Sequence, residues 1–179
     1  MPKLLFSISL ITLISINSVA ISISENLFYK DLPSKPIEVL EAWQGSWKSN
    51  VVFKHSILFP GGLSYSQSTK CNWILKDKFQ QCMYQNMKDE SLNFHRYDSK
   101  RKVFEKWTFN SKGETSYWTG KWNKTTKKLK WTMIFPQGLK ATIVDHFLTA
   151  NKYETFFLIE DMQGNMLLDI HITNIKTIE

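Results

Sequence analysis

Apolar positions along this chain change their period once. In Pro36-Ile37-Glu38-Val39-Leu40-Glu41-Ala42-Trp43, the residues Ile37, Leu40 and Trp43 are spaced for one helical face, with proline at an early position. Beyond Trp43 the apolar residues alternate with a period of two, as they do in half-buried strands. Turn residues recur near Pro60-Gly61-Gly62, Lys76-Asp77, 98–101, 110–113, 123–126, Pro136-Gln137-Gly138, 149–152 and Gln163-Gly164. The strand-like runs between them repeat about every 10–15 residues, which predicts an all-β meander of antiparallel hairpins. Such a chain closes as an up-and-down barrel or packs as a sandwich, here with a short N-terminal helix before the first strand.

Hairpin spacing predicts which residues face inward. A four-residue loop at 110–113 sets Trp107 opposite Ser116 and Glu105 opposite Trp118. One at 123–126 sets Trp118 opposite Trp131 and Ser116 opposite Met133. Residues opposite each other share a face of the sheet. Glu105, Trp107, Trp118, Trp131 and Met133 are therefore expected inside, and Lys106, Tyr117, Lys121, Lys128 and Lys130 outside. Turns centred on 149–152 and 162–165 place Val144, Phe157 and Ile170 inward, together with Ile159, Leu168 and Ile172. The same turns place Asp145, Phe156 and His171 outward.

The first 24 residues read differently. One charge, Lys3, precedes an apolar run from Leu4 to Ile16, and the small residues Ser18-Val19-Ala20 follow. That is the pattern of a secretory signal peptide, with cleavage expected after Ala20 or Ser24. Ser7, Ser9, Thr12, Ser15 and Asn17 dilute the run below what a membrane span needs. Residues 25–179 then form a single barrel domain, secreted or periplasmic, with no transmembrane segment after signal cleavage. Cys71 and Cys82 are the only cysteines, and a turn at Lys76-Asp77 sets them directly opposite. A disulfide is expected there, since export leads to an oxidising compartment; a pair of unlinked thiols is the alternative.

Three stretches carry a family resemblance. Gly45-Ser46-Trp47-Lys48 follows the helix, and Cys71-Asn72-Trp73-Ile74-Leu75-Lys76-Asp77-Lys78-Phe79 reads as a Trp-x-Leu hairpin with a basic-Phe return. Tyr97-Asp98, Trp107-Thr108-Phe109-Asn110-Ser111-Lys112-Gly113 and Thr119-Gly120-Lys121-Trp122-Asn123 complete the order. Over residues 38–176 this set resembles the bacterial family called domain of unknown function 1579. The resemblance implies a lipocalin-like (calycin) β-barrel and carries no reaction with it. Lys76-Asp77 departs from the Asp-Gly turn more typical of that family. Ser49 stands where the related haem-binding nitrobindins have a second glycine, so no haem and no other cofactor is expected.

The chain has a net charge of +7, seven tryptophans and twelve phenylalanines. The aromatic inner face suggests a pocket for a small apolar or aromatic molecule, lined by Trp47, Glu105, Trp107, Trp118, Trp131 and Met133. A second reading uses the outward Lys106, Lys121, Lys128 and Lys130, with Lys124, to bind an anionic envelope surface. A third is an enzyme with an in-barrel carboxylate, Glu105 or His146 acting as acid or base. Export and the single outward aromatic Tyr117 in the lysine patch disfavour nucleic acid. No nucleophile elbow or His-x-x-x-His spacing occurs, so no catalytic and no metal-binding residue is assigned. His171 beside Asp145 reads as part of a solvated polar face.

Overall fold

A computed structural model describes residues 33–177. The expected signal peptide at 1–24 lies outside the described residues. Helix α1 (Pro36–Glu41) precedes ten strands: β1 (Gly45–Phe53), β2 (Leu63–Ile74), β3 (Phe79–Gln85), β4 (Glu90–Asp98) and β5 (Val103–Asn110), then β6 (Thr115–Asn123), β7 (Lys128–Ile134), β8 (Lys140–Thr149), β9 (Lys152–Glu160) and β10 (Met166–Lys176). Each strand pairs antiparallel with its neighbour in sequence, and β10 returns to β1, so the sheet closes into an up-and-down barrel with no free edge. The all-β barrel with a short leading helix is the architecture that the period-two pattern predicts.

Helix α1 seals one end. The Glu38 carboxylate accepts hydrogen bonds from the Ser34 hydroxyl and from the backbone N–H groups of Ser34 and Lys35. These bonds favour the ionised form and hold its pKa down to about 2. Val39, Leu40 and Trp43 are buried. Gln80 Nε2 donates to the Leu40 carbonyl, and Trp47 Nε1 donates to the Trp43 carbonyl at 2.8 Å. The Leu40 carbonyl also accepts the Trp43 N–H at 3.2 Å, so the last carbonyls of the helix end are bonded although buried. The opposite end carries the loops at 54–62, 86–89, 111–114, 135–139 and 161–165.

Three registers differ from the sequence-based expectation, two of them by one residue. Between β5 and β6, Lys106 sits opposite Trp118 and Trp107 opposite Tyr117. Asn110 N–H bonds the Glu114 carbonyl at 3.1 Å, so the turn beyond that last pair has three residues, 111–113, and Gly113 takes φ +80°. An odd loop in place of an even one reverses every face along the strand. Glu105 and Trp107 therefore lie outside, and Lys106 lies inside. Between β8 and β9 an irregularity at Phe147/Thr149 adds one residue, so Ile143 faces Phe157 and Asp145 faces Thr155. Ile143 and Asp145 point inward in place of Val144.

The other hairpins keep their faces. Trp131 pairs with Gly120 rather than with Trp118, a shift of two that leaves both tryptophans inward. Ile170 pairs with Phe157 as expected, and Val51, Leu168 and Ile170 form an apolar cluster with Phe157, Ile159 and Ile172 packed on it. Cys71 pairs with Cys82 in a disulfide, both sulfurs buried. The loop between them spans four residues, 75–78, with Leu75, Lys76 and Asp77 at positive φ; it has the same centre as the expected two-residue turn.

Gly120 is required by its neighbour. A Cβ at this position would lie 2.6 Å from Cε3 of the Trp131 indole, which is fully buried. Gly120→Ala is expected to destabilise the barrel by about 1–3 kcal/mol, because a packed core relieves such a clash only by moving its side chains. Urea denaturation followed by tryptophan fluorescence measures it; an unchanged midpoint would show that the Trp131 indole is free to move.

Candidate functional site

Above Trp43 the barrel is hollow. The cavity is about 740 Å³ and opens toward the mouth, where Phe135, Asn110 and Glu114 contribute to its lining. Val51, Trp118, Met133, Ile143, Phe157, Ile170 and Ile172 form its apolar wall. Alternation places them: each is an inward position of a strand whose neighbours in sequence face out.

The polar groups divide between two walls. On the β8–β10 side the bonds are complete. Asp145 accepts from Trp131 Nε1 at 2.8 Å and from the Thr155 hydroxyl at 2.6 Å. Asn174 accepts from the Ser49 hydroxyl at 2.7 Å and donates to the Tyr153 carbonyl at 3.3 Å. The β4–β5 side is different. Among the described residues, Asn93 Oδ1 and His95 Nδ1 are buried without a hydrogen-bond partner. Lys106, which pairs with His95 across the strands, makes no hydrogen bond and no ion pair among the described residues. Its ammonium instead lies over the rings of Trp118 and Trp131, 5.0 and 5.1 Å from their centroids. Buried polar atoms are ordinarily bonded, so this wall is where the polar atoms of a ligand would find partners.

Burial dominates the ionisation inside. It pushes His95 well below its ordinary pKa, and the neighbouring Lys106 charge adds to that. His95 is therefore neutral at pH 7, stacked on Trp43 at 5.3 Å. Burial also lowers Lys106 to about 8, against the attraction of Asp145. Asp145 is raised by burial, with Lys106 and the bonds from Thr155 and Trp131 opposing. Burial raises the Tyr84 and Tyr153 hydroxyls as well, so both stay protonated.

The structure gathers only some of the residues singled out from the sequence. Trp118 and Met133 line the cavity. Trp131 lies beneath it, its indole holding Asp145 and packing on Trp43 and His95. Trp47 is buried at the sealed end, edge-on to Tyr153 at 4.9 Å, and does not reach the hollow. Trp107 lies in an outer groove of about 390 Å³ with Ile74, Leu75, Phe79, Phe94 and Phe109. Glu105 is also outside, held by Arg96, Arg101 and Tyr117. Burial raises its pKa, but the bonds from Tyr117 and Arg96 and the two guanidinium charges outweigh that and keep it low. Lys121, Lys128 and Lys130 are exposed as expected, whereas Lys106 has left that face for the cavity.

The acid–base roles considered for Glu105 and His146 have no cavity to act in, since His146 pairs across the outer face with Lys128 and Glu154. His171 stacks outside on Phe156 at 4.6 Å, apart from the inward Asp145. The sequence reading missed Asn93, His95, Lys106 and Asp145 as cavity groups. Gly113 was the available signal for Lys106, because glycine at positive φ is the usual close of a three-residue hairpin.

No family model matches the chain, and no curated protein matches it. Solved structures do. The S-type phycobiliprotein lyase CPES from Guillardia theta is 11% identical, with a TM-score of 0.55 over 79% of this chain and 92% of that one. Rv2717c from M. tuberculosis is 11% identical, with a TM-score of 0.56 over 83% of this chain and 100% of that one. At this identity the likeness is one of fold.

The ionisation of His95 makes stability depend on pH. Its folded pKa lies below the unfolded value of about 6.5, so the unfolded chain binds the proton first as pH falls. Stability is full above about pH 6.5 and declines below it, where ∂ΔG/∂pH is positive. His95→Phe, which keeps a ring against Trp43, is expected to flatten the urea midpoint between pH 7 and pH 5. An equal decline in both proteins would place a proton on His95 in the folded state.

Proposed function

We propose that this protein is an exported receptor that holds a small apolar or aromatic molecule inside its barrel. The carrying observation is the hollow, about 740 Å³, with an aromatic and aliphatic wall and one side of unbonded polar groups. Small-molecule sites have this make-up, at roughly 300–1,000 Å³. Export is supported by the signal-like first 24 residues and by the Cys71–Cys82 disulfide, a bond that persists in oxidising compartments. Membership of the 1579 family belongs to the same proposal.

A second reading keeps a specific observation. Lys121 and Lys130 are directly opposite each other on the outer face, and Lys128 and Lys124 are exposed beside them. Like charges in that position destabilise a sheet, and an anionic surface would relieve the repulsion. Binding to anionic vesicles that weakens as salt rises would support it; indifference to salt would remove it.

Titration with a panel of aromatic and aliphatic compounds tests the receptor. A bound ligand sits against Trp118, so its emission is expected to shift or quench with saturation. Met133→Trp, which fills part of the hollow, is expected to weaken the same binding by about tenfold or more, roughly 1.4 kcal/mol. Saturable binding untouched by Met133→Trp would place the ligand elsewhere, and no response to any compound would remove the proposal.

A further inference from the structure

We propose that Lys106 forms an iminium bond with an aldehyde-bearing ligand inside the barrel, with Asp145 facing the charge. The inference rests on the receptor reading above and names the chemical class of the ligand. Three observations support it.

The first is isolation. Lys106 is 7% exposed and lines the cavity, yet its ammonium has no hydrogen bond and no ion pair among the described residues. A surface lysine has water in those positions, and a structural buried lysine has a carboxylate. This one has two indole faces and an open hollow. The second is the state of the amine. Desolvation brings its pKa to about 8, so about a tenth is free amine at pH 7, against roughly four in ten thousand for an ordinary lysine. Desolvated lysines in apolar pockets are the ones that attack carbonyls. The third is the counter-charge. Asp145 lines the same cavity, anchored by Trp131 and Thr155, and attracts a positive charge on Lys106 without contacting it.

The chemistry balances without an oxidant or a reductant. The Lys106 ammonium first gives one proton to water in the open hollow. The freed nitrogen pair forms a bond to the aldehyde carbon, and the carbonyl π pair moves to oxygen, which takes a proton from the nitrogen. The carbinolamine hydroxyl then takes up the released proton and leaves as water, the nitrogen pair closes the C=N bond in place of C–O, and the remaining N–H stays on the iminium. The sum is R–CHO and Lys–NH₃⁺ going to R–CH=NH⁺–Lys and water. The positive charge is conserved, so Asp145 faces one before and after. His95, opposite Lys106, stays neutral and adds no second charge. Trp118 and Trp131 flank the new bond as they flank the ammonium.

The test uses reductive trapping. The protein is incubated at pH 7 with cinnamaldehyde, or with decanal, in the presence of cyanoborohydride, and the modified lysines are mapped by mass spectrometry. Lys106 is expected to be trapped at least tenfold faster than Lys121, Lys128 or Lys130, and Lys106→Arg to lose that adduct. Excess cinnamyl alcohol, which fits the cavity and forms no imine, is expected to protect Lys106 in the unaltered protein. That arm holds whether or not the variant folds. Labelling no faster at Lys106 than at the exposed lysines overturns the iminium bond. If cinnamyl alcohol or decanol still quenches Trp118, the receptor survives and only the covalent step falls. Absence of both trapping and quenching overturns the two together.

Discussion

Trp43 is the contact on which the rest of the barrel depends. It stands just past the helix and is almost fully buried, with His95, Phe147, Tyr153 and Trp131 around it at 5.3–6.4 Å between ring centroids. Its carbonyl takes the indole N–H of Trp47, which ties the plug to the first strand. Offset and tilted aromatic contacts of this kind each add to the stabilisation from buried area. They make one half of the interior solid. The hollow above exists because the plug stops where it does, and His95 belongs to both halves, stacked below and unbonded above.

Charge inside the hollow is arranged on the same principle. A buried carboxylate and a buried ammonium would ordinarily collapse into a pair. Here Asp145 is held on one wall by Trp131 and Thr155, and Lys106 is held on another by the faces of Trp118 and Trp131. Trp131 serves both, its N–H toward the anion and its ring toward the cation. The indole thereby keeps opposite charges apart across a space that a guest can enter.

Much of this was legible in the sequence. Period-two alternation after Trp43 announced the strands, and Cys71 opposite Cys82 followed from the centre of one turn. Faces were harder. They depend on whether a loop holds an odd or an even number of residues, and one residue fewer at 111–113, or one more at the β8–β9 turn, exchanges inside for outside. Glu105, Lys106 and Asp145 changed faces for that reason alone. Composition could not have signalled the inward Lys106, because lysine is ordinarily an outward residue. Gly113 carried the local information, whereas the β8–β9 irregularity has no glycine to mark it.

Closure of β10 onto β1 has a kinetic meaning for anything held within. In an open sandwich, two sheets can part along a seam and admit a molecule sideways. A continuous ladder has no seam, and opening one requires breaking a whole row of backbone bonds at once. Traffic is confined to the end opposite the helix. How long a guest would stay is then governed by the five loops around that opening, and a rigid wall would not slow its departure.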